Sequence, residues 1–171
     1  VSGGATVVDS IERVDAAEWD SISPPDGLAW SHAFQRALAR SKINDCEHRY
    51  LLYRDAEGRL LAHASFYAIS TPLDLFLPRD YLVAKTLAGV RRLFPRFLNF
   101  RVVECGSPTT LGYPVAFRAG VGDDERRHVW HALVGAMESF ATEKKATLLV
   151  VRDFREAERP SAAALAERGF A

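Results

Sequence analysis

The residues best suited to chemistry fall in one short run, Glu104-Cys105-Gly106-Ser107, with Tyr113 close behind it. A carboxylate that takes a proton beside hydroxyls that return one is the minimum for general acid–base work. Cys105 fits a nucleophile whose base arrives from elsewhere in the fold, and fits equally well a small buried filler. Glu104 fits a base, and fits also a strand-end carboxylate held in a salt bridge.

Other titratable groups are more scattered. His63, Ser65 and Tyr67 alternate along one apolar stretch, so they share a face if that stretch is a strand, as a polar trio in a pocket or as a hydrogen-bonded core. His128 and His131 have a spacing that can bind metal on a helix, but no carboxylate or cysteine motif completes a site, and a solvated helix face is expected. Between Pro72 and Arg101, Arg79, Lys85, Arg91, Arg92, Arg96 and Arg101 outnumber Asp74 and Asp80, with Phe94, Phe97 and Phe100 interleaved. Such a patch suits an anion: a cofactor phosphate, an acidic carrier protein, or RNA whose bases stack on aromatics. The same spacing also fits phenylalanines in the core with solvated arginines around them.

The elements that must position these groups are legible from periodicity. Val7 and Val8 open a strand, and a short helix follows over Ala16–Ile22 with Trp19 and Ile22 on one face. Ser31 is placed to cap a helix carrying Phe34, Leu38 and Ile43. Arg49–Arg54 and Leu60–Ile69 flank the short polar connection Asp55-Ala56-Glu57-Gly58, which predicts an antiparallel hairpin. The second strand is apolar on both faces, and its Ala62-Ala64-Phe66-Ala68 face lets a helix approach closely. Leu82 to Phe94 have helical spacing ended by Pro95. Phe100–Cys105 reads as a strand, followed by a loop of about fifteen residues, the kind that often carries function. A long helix starts at Asp123-Asp124, with an apolar stripe from Val129 to Ala141. Thr147–Val151 reads as a buried strand parallel to its predecessor, because a helical crossover joins the two. Ser161–Arg168 is the last helix, with Gly169 after it.

Composition excludes several classes. The 171 residues are 48% hydrophobic and 26% charged, so disorder and collagen-like repeats are ruled out. Lys plus Arg number 22 and Asp plus Glu 22, which argues against a polycation that coats nucleic acid through net charge. The 2 cysteines, Cys46 and Cys105, are too few for a disulfide framework and lack zinc spacing, so reduced thiols in a cytoplasmic protein are expected. No apolar run reaches the ~20 residues that cross a bilayer, and no membrane role is expected.

This order of elements resembles the GCN5-related N-acetyltransferase (GNAT) fold, in which a central strand leads to a helix that receives a cofactor pyrophosphate. The phrase Leu165-Ala166-Glu167-Arg168-Gly169-Phe170 is similar to the family's L-x-x-x-G-F. Trp19 and Trp30-Ser31-His32-Ala33-Phe34 resemble the opening of the Fem-type, peptidoglycan biosynthesis and recognition branch, whose members often carry two GNAT-like halves. The resemblance implies an α/β fold: a mixed twisted sheet of about six strands with helices on both faces. It implies an acyltransferase-type domain moving an acyl or aminoacyl group to an amine, with Glu104 as base and Ser107 or Tyr113 as acid. It also implies acyl-CoA as cofactor, held at Arg118, Gly120 and Gly122. That loop is one residue shorter than the family's R/Q-x-x-G-x-G/A, and Asp123-Asp124-Glu125 follow it. The alternative is a non-catalytic GNAT half that recognises a substrate, a carrier protein or a neighbouring domain. An acyl carrier protein or tRNA would dock on Arg79–Arg101. The family's final hairpin would begin just past Ala171. Residues 1–171 are therefore expected to form a single GNAT-like domain or the N-terminal part of a longer protein. A sheet edge near the C-terminus would then be left for a partner domain or a second copy.

Overall fold

The computed structural model describes residues 3–24, 27–72, 99–110, 115–154 and 159–170. Six strands form one sheet: β1 (Gly4–Val8), β2 (Glu47–Arg54), β3 (Leu60–Pro72), β4 (Asn99–Cys105), β5 (Ala116–Phe117) and β6 (Leu148–Val151). The order is β1-β2-β3-β4-β6, with β5 paired to β3. All pairings are antiparallel except β4 with β6, which is parallel. Four α-helices are described: α1 (Ala16–Asp20), α2 (His32–Ser41), α3 (Asp123–Lys144) and α4 (Arg159–Ala166).

Local chemistry sets the boundaries. The Asp55 carboxylate accepts from the backbone N–H of Glu57 at 3.1 Å and Arg59 at 2.8 Å, and Gly58 takes φ +83°, so the β2–β3 turn closes on its own residues. Asp15 and Ser31 cap α1 and α2 by accepting from Glu18 and Phe34 N–H. Lys42 turns to φ +50° and ends α2 before Ile43, which falls in a separate 3-10 turn. α3 ends at Lys145, φ +54°, with Ala146 N–H returning to the Ala141 carbonyl at 2.8 Å.

The two sheet faces differ. Leu51 and Tyr53, the small-residue face Ala62-Ala64-Phe66-Ala68, and Val103 and Cys105 pack against Val129, Trp130, Leu133, Val134 and Met137 of α3, with Ala164 and Leu165 of α4 beside them. Each fully buried Leu, Val or Met contributes about 1.5–3 kcal/mol. The opposite face packs Tyr50, Leu52 and Leu60 against Ile11, Val14, Trp19 and Ile22.

β3 is the spine that creates the site. One of its edges pairs with β2 along most of its length. The other pairs with β4 at Phe66–Pro72 and with β5 at Ala62–His63, so β5 continues the line of β4 after an interruption. The segment expected as one long loop therefore contains a strand, Ala116–Phe117, on the same edge of β3. β6 is half-buried, with Leu148 43% exposed, rather than the buried strand that its sequence suggested. Among the described strands it pairs on one side only, so it has no second neighbour to cover it.

Candidate functional site

Where β4 and β6 end, His48, Tyr67, Glu104, Ser107 and Arg152 converge. Register puts His48 of β2, Tyr67 of β3 and Glu104 of β4 in one row on the α1–α2 side of the sheet. The Tyr67 hydroxyl donates to Glu104 Oε2. Arg152, the first residue after β6, brings Nε to 3.5 Å from the same oxygen. It also donates to the Tyr67 oxygen at 3.2 Å and to the Ser107 carbonyl. Two left-handed residues flank it, Gly106 at φ +136° and Asp153 at φ +68°. A Cβ on Gly106 would make ordinary van der Waals contact with Arg152 Cγ at 3.4 Å, so it is the backbone conformation that favours glycine there. For Asp153, a non-glycine residue, the conformation is strained, and such strain gathers at functional sites.

Protonation follows from this packing. Burial, then the bond to Glu104, pushes the Tyr67 hydroxyl well above its usual range, so it remains a donor. Burial works against the Arg152 charge, but the Tyr67 oxygen and the Glu104 and Asp153 carboxylates outweigh it, and the guanidinium is held charged. The result is a half-buried carboxylate with a neutral phenol and a fixed cation on it. That set can accept a proton, return one and stabilise a developing oxyanion.

Not every expected site residue joins it. Glu104 is central, but Ser107 contributes its carbonyl; its hydroxyl lies 3.4 Å from Thr109 Oγ1. Tyr113 lies outside the described residues, as does all of Arg79–Arg101 except its last residues. Cys105 is fully buried, donates to the Ser65 carbonyl at 3.4 Å, and has its thiol pushed far up by burial, so it is packing and not a nucleophile. His63 is a core residue: fully buried, stacked on Trp19 at 3.6 Å, and 3.1 Å from the Ser23 hydroxyl. His131 reaches Glu167 at 3.2 Å and ties α3 toward α4; no metal-binding group of three ligands occurs among the described residues.

Arg152 and Asp153 were missed by sequence reasoning. Their signal was faint: a charged pair directly after an apolar strand. The partnership of Tyr67 with Glu104 was also invisible, because it depends on the β3–β4 register.

Arg118, Gly120 and Gly122 sit before α3 and border a cavity of about 390 Å³ against the β2–β3 turn. Gly120 has φ +84°, a Cβ on either glycine would meet open space, and Gly122 starts the helix without a side-chain cap. The backbone thus fits a phosphate at a helix N-terminus. Of the three acids expected there, only Glu125 lines the cavity, and it accepts from the Tyr53 hydroxyl. Asp55, Glu57 and Glu125 face Arg59 and Arg118, an excess of one negative charge. Arg118 spends its Nε–H on the Leu60 carbonyl at 2.6 Å. The residues fit an acyl-CoA diphosphate through backbone donors, with side-chain charge working against it.

No family model matches the chain. It is 32% identical over 129 residues to a Mycobacterium tuberculosis protein named "Putative 8-amino-7-oxononanoate synthase 2"; the match covers 75% of this chain and 16% of the relative. The chain therefore spans about one-sixth of the curated relative it matches. Among solved structures, a mutant of the BH1408 protein from Bacillus halodurans superposes with a TM-score of 0.55 at 10% identity, covering 98% of this chain and 92% of that one. A "probable acetyltransferase" superposes with a TM-score of 0.55 at 16% identity, covering 98% and 89%. Together with the mixed six-stranded sheet and the β4–α3–β6 crossover, these likenesses establish the fold of this chain as GNAT-like.

Proposed function

We propose that this chain is an acyltransferase-type domain that moves an acyl or aminoacyl group to an amine. The observation that carries the proposal is the contact of Glu104 with the Tyr67 hydroxyl and the Arg152 guanidinium, where the parallel pair β4–β6 ends. Glu104 takes the proton from the incoming ammonium, directly or through water. Arg152 faces the oxyanion, and Tyr67 returns a proton to the leaving group. The Gly120–Gly122 backbone and the free guanidinium nitrogens of Arg118 hold the diphosphate of acyl-CoA, which supplies the thioester when bound.

A second reading is favoured by one feature. Arg152 ties the end of β6 to the Ser107 carbonyl beyond β4, and the cavity before α3 carries excess negative charge, as a recognition half without chemistry would tolerate. Calorimetric titration with acetyl-CoA, followed by an amine acylation assay, separates the two. Saturable binding is expected, with Glu104→Gln lowering the rate by about 10²–10⁴-fold while cofactor affinity holds. An absence of binding at millimolar acetyl-CoA would leave the recognition reading.

A further inference from the structure

A second cavity, of about 280 Å³, lies between the 3-10 turn Ile11–Arg13, α2 and β2. Its charges are mostly internally matched: Asp9 accepts from Arg13 at 3.1 Å, and Glu12 from Arg40 Nε at 3.0 Å. Arg36, which also lines it, makes no ion pair among the described residues. Tyr50 and His48 of β2 line it, and the Tyr50 hydroxyl and His48 Nδ1 are buried behind that wall. Both side chains are more than nine-tenths buried, and neither atom has a hydrogen-bond partner among the described residues. Leaving such groups unpaired costs stability, which a ligand that bonds them would recover.

We propose that this cavity binds a small carboxylate-bearing amine, an amino acid or a compound of that type, with Arg36 on the carboxylate and Tyr50 and His48 on the remaining polar atoms. A free guanidinium selects a carboxylate by paired N–H donors. His48, held neutral by burial with its pKa lowered to about 4, offers a ring nitrogen to a donor and adds no competing charge. The cavity also neighbours the site above. The His48 and Tyr67 rings are 5.7 Å apart, Tyr67 bonds Glu104, and the Glu104 charge reaches Cys46 on the cavity wall, whose thiol is raised to about 11 by burial and by that carboxylate. This assignment rests on the acyltransferase reading only in calling the ligand an acceptor; binding itself requires no donor.

Calorimetry or NMR titration of the protein with glycine, L-alanine, L-serine and their amides tests it without acyl-CoA. The acids are expected to bind and the amides to bind at least about tenfold more weakly. Arg36→Ala, at an exposed helix position, should lose about tenfold or more in affinity for the acids with an unchanged melting temperature. Tyr50→Phe removes a hydroxyl that is unpaired among the described residues, so its stability should hold or rise while binding weakens. Glu104→Gln should still bind. No binding of any acid at 10 mM or more (about the weakest affinity worth assigning), or binding indifferent to Arg36→Ala and Tyr50→Phe, overturns the assignment. Acylation of amines lacking a carboxylate would in that event leave the proposed activity standing.

Discussion

On one side of the sheet, α3 and α4 cover an apolar layer of alanines, Phe66, Val103 and Cys105, packed on Leu133, Val134 and Met137. On the other side, under α1 and α2, the same strands present His48, Tyr50, His63, Tyr67 and Glu104, and buried polar atoms of His48, Tyr50 and Gln35 lack partners among the described residues. The strands are shared, so backbone geometry does not distinguish the faces; alternation of side chains does. The apolar face repays its conformational entropy by burial. The polar face gives up part of that gain, because buried polar groups without partners cost free energy.

The sharpest way to break this comparison is in the apolar layer. Leu133→Ala deletes a fully buried side chain in α3 and should cost about 2–5 kcal/mol in chemical denaturation; a loss below about 1 kcal/mol would mean that this face is not the main source of stability. Next comes acid. Burial lowers His63 to about 3 and His48 to about 4 from an ordinary 6.5, so between these values and 6.5 the unfolded chain binds protons that the native state refuses. Stability contributed by these neutral imidazoles is present above pH 6.5 and is lost as pH falls through about 4 and then about 3, a decline on the order of a few kcal/mol. Denaturation midpoints at pH 7, 5.5 and 4.5 should show that slope, and His48→Phe should flatten it; identical slopes in wild type and variant would remove His48 from the account.

Smaller effects sharpen the comparison at its margins. Arg54 of β2 meets Glu18 of α1 through two bonds, Nη1 to Oε1 and Nη2 to Oε2 at 2.7 Å, and this pair ties a helix to the polar face. Each side chain is 30% exposed, so a double-mutant cycle should give about 1 kcal/mol or less. On the α3 side, Glu125→Gln removes one negative charge from the cavity before the helix and should tighten acetyl-CoA by up to about fivefold. That gain should shrink in high salt.

Much of this architecture could be read from residue order. The β2–β3 hairpin follows from apolar runs around an Asp-to-Gly turn, and the length of α3 follows from its acidic start and apolar stripe. The two-faced β3 follows from small residues alternating with His63, Ser65 and Tyr67. These are short-range consequences of turn chemistry and periodicity. β5 was hidden because two residues carry no period, and β6 looked buried because a strand's composition does not reveal that it pairs on one side only among the described strands.

The site divides along the same line. Sequence by itself marked Glu104 at a strand end, the open glycines 120 and 122 before a helix, and a polar alternation in β3, because each is a matter of type and spacing. Only the tertiary structure decided that Glu104 meets Tyr67 and Arg152, that the thiol of Cys105 is sealed, and that Arg36, His48 and Tyr50 share a cavity. Strand register, the crossover through α3 and the packing of α2 on the 3-10 turn Ile11–Arg13 set those distances. All three are long-range contacts, and hydrophobic burial across the whole domain fixes them where no local pattern can.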